Sequence, residues 1–181
     1  MTQNNKIEIP LSKGKLTKGL IASIIFVLIG LWLLIYHPTT SNPIFNNPLV
    51  KYGAAITSIL FFGFAIFYFS FKLTDKNPGI VIDDNGILDN SSAVAVGFIP
   101  WATIKQFATA KVMKQEFLII VVDNPELYIN QQTNLFKKKG MQYNLNNYGS
   151  PLAISANGLK CNLTELTSIL ERKLVEQRKY K

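Results

Sequence analysis

Few side chains in this 181-residue chain are of the kind that does chemistry. His37 is its only histidine and Cys161 its only cysteine, so neither a disulfide framework nor a cysteine-rich metal site can form within one chain. Asp83, Asp84 and Asp89 stand close together and suggest Ca2+, but the EF-hand spacing with its distal Glu is missing. His37 ends a long apolar run and reads as a loop residue, while a lone cysteine in strand-like sequence reads as a small core residue. No glycine-rich phosphate loop is visible. No catalytic, cofactor-binding or metal-binding residue is assigned, no cofactor or small-molecule substrate is identified, and the chain does not read as an enzyme.

One basic cluster stands out, Lys137, Lys138 and Lys139. Asn124 and Pro125 form a helix-start pattern, and the three lysines before Gly140 suit a last turn and its stop, which predicts a helix over 125–139. Such a helix could lay its basic face on anionic lipid headgroups, at about 1 kcal/mol per lysine. The preferred reading is a solvated helix end whose charges match the dipole, because three lysines fall short of the clusters of about 4 to 8 that read as lipid-binding.

The elements around these residues fall into two textures. Hydrophobic residues make up 48% of the chain and charged residues 17%, below the roughly 25% charge of soluble proteins. Two uncharged runs, residues 19–36 and 52–71, account for the deficit. Their 18 and 20 residues reach about 27 and 30 Å as helices, matching a hydrocarbon core of about 30 Å, and neither has a polar face. They are read as transmembrane helices. The first outruns a signal-peptide core and has no small-residue cleavage site after it.

Orientation follows the lysines. Lys6, Lys13, Lys15 and Lys18 precede the first run against Glu8 alone, and Lys72 and Lys76 follow the second. The positive-inside tendency puts both termini in the cytoplasm and the proline-containing connection, residues 37–51, outside. The expected location is a plasma membrane, the bacterial inner membrane, with the lipid bilayer as first partner. Trp32, Tyr36 and Tyr52 suit its interfaces. Ala22, Ser23 and Gly30 in the first helix, and Gly53 with Thr57 or Ala54 with Ser58 in the second, allow close helix approach, either within the hairpin or in a homo-oligomer. The absence of ionisable residues inside both runs counts against a transporter.

From residue 72 to 181 strand signals dominate. Asn85-Gly86 and Asn157-Gly158 each sit between apolar pieces and predict hairpins whose turns need positive φ. Val94, Val96 and Phe98 share one face of a strand, and Phe117 to Val122 is apolar on both faces, as a central strand should be. Pro100 has no backbone donor, so Pro100-Trp101 marks a structural corner anchored by Ile99 and Ile104, with a new strand from Thr103 to about Lys111. Asn162 and Glu165 form a capping box for a terminal helix over 163–177. Of the net charge of +8, residues 1–72 carry +5, so the basic balance speaks for membrane topology and gives no case for nucleic acid. The expected architecture is a membrane α-helical hairpin plus an α+β domain, a strongly bent antiparallel sheet closed by the terminal helix.

The segment "GFIPWATI" resembles the Ile-Pro-aromatic-x-x-Ile stretch of bacterial pleckstrin-homology-like (PH-like) domains found beside paired membrane helices. With "IEIPLSK", "PGIVIDDNGI" and "ISANGL", the whole chain resembles an uncharacterised bacterial family of small two-helix membrane proteins with a PH-like cytoplasmic domain. The resemblance implies that Ile7, Ile9 and Leu11 form a strand, within residues 6–12 of an N-terminal segment 1–18, that joins the cytoplasmic sheet. Asp83 and Asp84 stand where phosphoinositide-binding relatives carry basic residues, which speaks against inositol-lipid recognition. Two functions remain open: a tethered PH-like module that binds a protein partner or further copies of itself, and an oligomeric two-helix pore or transporter accessory subunit.

Overall fold

The structure is a computed structural model that describes residues 6–92, 94–113 and 115–179. Residues 1–5 and 180–181 of the predicted segments lie outside that range. The chain divides into two compact units: Lys13–Lys76, and the N-terminal segment up to Ser12 together with everything from Asn77 onward.

The first unit is a helical hairpin. Helix α1 spans Lys13–Tyr36 and α3 spans Pro48–Thr74, each extending beyond its uncharged run, with a short α2 at Pro43–Asn46 in the connection. Asn42 and Asn47 cap α2 and α3, with a proline in the first turn of each, where a missing N–H costs nothing. Small residues set the contact between α1 and α3. A Cβ on Gly30 would come within 2.9 Å of Ile59 and 3.1 Å of the Ala55 carbonyl. Ser23 and Ala55 are buried, Ser58 Oγ donates to the Phe26 carbonyl at 3.1 Å, and Phe26 stacks on Phe62. Ala22, Gly53, Ala54 and Thr57 remain exposed, so only part of the predicted small-residue set serves this contact. At the other end, Lys13 Nζ donates to the carbonyls of Lys72, Leu73 and Asp75 at 3.0, 2.8 and 2.6 Å. A cation thereby closes the C-terminus of α3, where the helix dipole is negative. Both helices are long and apolar enough to cross a membrane, and the most apolar windows of α1 and α3 are only 11% and 6% buried.

The second unit is α+β. Strands β1 (Ile7–Ile9), β2 (Ile80–Ile82), β3 (Gly86–Asp89) and β4 (Gly97–Pro100) form one antiparallel meander in that order. Strands β5 (Ile104–Val112), β6 (Gln115–Val122) and β7 (Leu152–Ile154) form a second. Helices α4 (Pro125–Asn130) and α5 (Leu135–Tyr148) lie between β6 and β7 in the chain, and α6 (Leu163–Lys179) ends it. The core holds Ile80, Ile82, Ile87, Ile99, Leu118, Ile120, Ile154 and Leu159, all at most 1% exposed. Helix α6 adds Leu166, Leu170 and Leu174 against β5 and β6, and its capping box joins Asn162 and Glu165 through reciprocal bonds of 2.8 and 3.1 Å.

Several local expectations are corrected. The β2–β3 turn does not use positive φ at Asn85-Gly86. Instead Asp83 Oδ1 accepts the N–H groups of Asn85 and Gly86 at 2.8 and 3.0 Å, and Gly86 is required because a Cβ there would sit 2.3 Å from the Ile99 carbonyl oxygen. Asn157-Gly158 does not make a hairpin: Ala156–Gly158 is a 3-10 turn, β7 pairs with β6, and Leu159 bridges to Leu11. Val94 and Val96 precede β4, whose inward residue is Ile99 while Phe98 is exposed; Gly97, at φ +87, starts the strand and cuts the predicted run short. The helix predicted over 125–139 is two helices. The first stops at Asn130, and Asn134 restarts the chain by accepting the Lys137 N–H at 3.1 Å. Gly149, at φ +75, rather than Gly140, supplies the left-handed terminator.

Candidate functional site

Register decides which face of the second meander is free. Leu118, Ile120 and Val122 share one face of β6 and Phe117 and Ile119 the other, where Ile119 is covered and Phe117 is half-buried. Antiparallel partners share a face, and Ala153 lies opposite Ile119. Val112, opposite Gln115, falls on the same side. This outer face is the floor of a groove. Helix α5 forms one wall, and Ser92, Val94 and Val96, between β3 and β4, line the other.

The volume enclosed is about 450 Å3. From α5 come Phe136, Lys137, Gly140, Met141, Asn144 and Tyr148, which recur every three or four residues and so line one stripe of the helix. Among the described residues the lining contains no Asp or Glu, and Lys137 is its only charged residue. Polar atoms come from Ser92, Ser155, Asn144, Tyr143 and Tyr148. The two tyrosine rings meet edge to face with centroids 6.4 Å apart. Desolvation first, then the neighbouring Tyr143, holds the Tyr148 phenol above its ordinary pKa, and like any phenol it can donate near neutral pH.

The three lysines therefore sit at the start of α5, not at the end of a helix. Lys137 is the third residue after the Asn134 cap, and the first turn carries no acidic residue. Matching to the helix dipole is ruled out as their explanation, since cations near an N-terminus oppose it. Lys137 and Lys138 are half-buried, Lys139 is exposed, and beside them Leu135 and Phe136 are 75% and 79% exposed. Large apolar residues next to cations, both facing water, make an amphipathic patch at the groove's mouth. The signal for this site was the stripe through Lys137, Met141, Asn144 and Tyr148, which a helix ended at Gly140 hides.

The remaining candidates are tied into local structure. Pro100 ends β4, and Trp101 opens a 3-10 turn leading into β5. The Trp101 indole is buried and donates to the Asp83 carbonyl at 2.7 Å, which fastens the corner to the β2–β3 turn. Asp84 faces the buried ammonium of Lys173 at 3.9 Å. Asp89 is 3% exposed and accepts the Ser91 N–H and O–H at 2.9 and 2.6 Å and the Val96 N–H at 3.4 Å. Burial pushes its carboxyl above the usual range, and the Ser91 and Val96 bonds and the Lys137 charge act against that rise. The three aspartates thus have separate partners. His37 Nδ1 lies 3.2 Å from the Tyr52 hydroxyl in the helix connection. No family model, curated protein or solved structure matches this chain.

Proposed function

We propose that this chain is an integral membrane protein whose second unit is a PH-like, non-catalytic binding or scaffolding module held at the inner face of a bacterial plasma membrane. The observation that carries the reading is a pairing: β1 precedes the helical hairpin and β2 follows it, yet Ile7–Ile9 and Ile80–Ile82 are neighbours in one sheet. A chain that leaves and re-enters the same sheet must cross a bilayer an even number of times, which two spanning helices satisfy. Exposed Leu60, Phe61, Phe64 and Phe67, each at least 66% accessible, would be a severe liability in water and are at home in lipid.

The four- and three-stranded meanders with their terminal helix support the PH-like reading of a bent antiparallel sheet closed by a helix. The lysines before α1 and after α3 support a cytoplasmic placement. A binding role is favoured over a catalytic one because the groove is apolar and the aspartates are occupied in turns and ion pairs.

Topology is tested with single cysteines. In cells expressing a Cys161→Ser, Ser41→Cys protein, an impermeant maleimide should label Ser41→Cys from outside. The native Cys161 should react only after permeabilisation and denaturation. Labelling of Cys161 on intact cells, or release of the whole chain into solution without detergent, would overturn the proposal. Ion flux through vesicles reconstituted with the protein would favour the pore instead.

A further inference from the structure

We propose that the groove beneath α5 binds a long-chain fatty acid, its alkyl chain lying on the outer face of β5–β7 and its carboxylate meeting Lys137. This inference rests on the reading of the second unit as a binding module and names its ligand. The volume of about 450 Å3 lies within the roughly 300–1,000 Å3 of small-molecule sites.

The chemistry of the walls selects the ligand. Val94, Val112, Phe117, Met141 and Ala153 offer an apolar path, and Met adapts to flexible chains. Among the described residues, a single lining cation without any lining carboxylate matches a single negative headgroup. Asp89, which the Lys137 charge reaches, is buried and engaged by Ser91 and Val96, and the ion pairs among the described residues do not include Lys137.

Gly140 is a second feature of the groove, because unlike Gly53 and Gly63 it is a lining residue. A glycine inside a helix is unfavourable by comparison with alanine, so a reason is needed for it. At Gly30 the reason is the close approach of the second helix, but a Cβ on Gly140 would meet nothing within 4 Å. The residue lines the groove, and its missing side chain keeps that volume open.

The test uses the full chain in phosphatidylcholine nanodiscs and a diazirine-bearing palmitic acid, with cross-links mapped by mass spectrometry. Saturable labelling of α5 and β7 is expected, displaced at least tenfold better by palmitate than by methyl palmitate. Gly140→Leu places a side chain in the groove while favouring the helix, so it should lower that labelling at least tenfold with an unchanged or higher thermal midpoint. Lys137→Glu should lower it about fivefold or more, and Lys137→Arg should retain it. Labelling confined to α1 and α3, equal displacement by the methyl ester, or indifference to Gly140→Leu would each overturn the proposal. Displacement by phosphatidylglycerol as effective as by palmitate would overturn it in favour of a membrane lipid. Absent labelling in a protein whose Cys161 is shielded on intact cells defeats the ligand alone. Cys161 labelled on intact cells defeats the membrane-module reading.

Discussion

The two units use the same apolar residue types in opposite ways. In the helical hairpin the large side chains of the uncharged runs face outward, with Leu60 at 69% and Phe64 at 71% exposed, while the buried positions of those runs, 19–36 and 52–71, are Ser23, Gly30 and Ala55. In the β-unit Ile80, Ile82 and Ile120 are fully buried and charge lies mostly outside, with Asp89 and Lys173 as the buried exceptions. In water, burial of apolar area drives packing, so large residues go in. In lipid that force between helices vanishes, and small residues that bring backbones together take the interior. The difference teaches that the hairpin carries the residue distribution of a lipid-facing unit, as proposed, and the β-unit that of a water-facing one.

The largest test strikes the water-built core. Ile120→Ala should destabilise the β-unit by about 2–5 kcal/mol, read from thermal unfolding in nanodiscs by Trp101 fluorescence in a Trp32→Phe background. An unchanged midpoint would mean that the buried strand is not a core. Next, Phe64→Arg should cost about 2.5–3.5 kcal/mol of insertion and move protein out of the membrane fraction, though the position is exposed and would tolerate charge in a water-soluble helix. The contrast would collapse if membrane yield stayed constant.

A smaller effect separates packed from open glycines. Gly30→Leu should destabilise the hairpin by about 1–3 kcal/mol through overpacking on Ile59 and the Ala55 carbonyl, whereas Gly53→Leu, with nothing within 4 Å, should leave its stability unchanged. Equal effects at the two sites would refute the assignment of the α1–α3 contact.

The smallest concerns the buried acid of the β-unit. Asp89 has its pKa raised by folding, so it contributes stability at pH below the unfolded value that is lost as pH rises through the folded value. The wild-type thermal midpoint, taken relative to that of Asp89→Asn, should therefore fall between pH 4 and neutrality. A rise over that range would reverse the sign and show that Ser91, Val96 and Lys137 outweigh burial.

Legibility followed the range of the interactions. Apolar runs, the Asn162–Glu165 box, the Pro100-Trp101 segment and the apolar Phe117 to Val122 run act within a few residues, and each has a counterpart in the fold. Errors arose where a residue's role came from a distant partner. Gly86 is needed for the Ile99 carbonyl, thirteen positions on, and not for a turn angle. Leu159 bridges to Leu11, and no local pattern announces it. Gly140 resembled a stop because glycine often is one, while the real stop at Gly149 also lay in plain sight.

Composition and periodicity alone determined that two stretches suit lipid, that the rest is strand-rich with a terminal helix, and that cysteine and histidine chemistry within one chain is limited. These properties depend on what each residue prefers as surroundings and on near neighbours. Tertiary structure decided that β1 and β2 pair across the whole inserted hairpin, that the lysines open α5, and that β5–β7 and α5 leave an apolar groove between them. Those outcomes depend on which distant segments share space, and a cavity is defined only by the surfaces on all its sides.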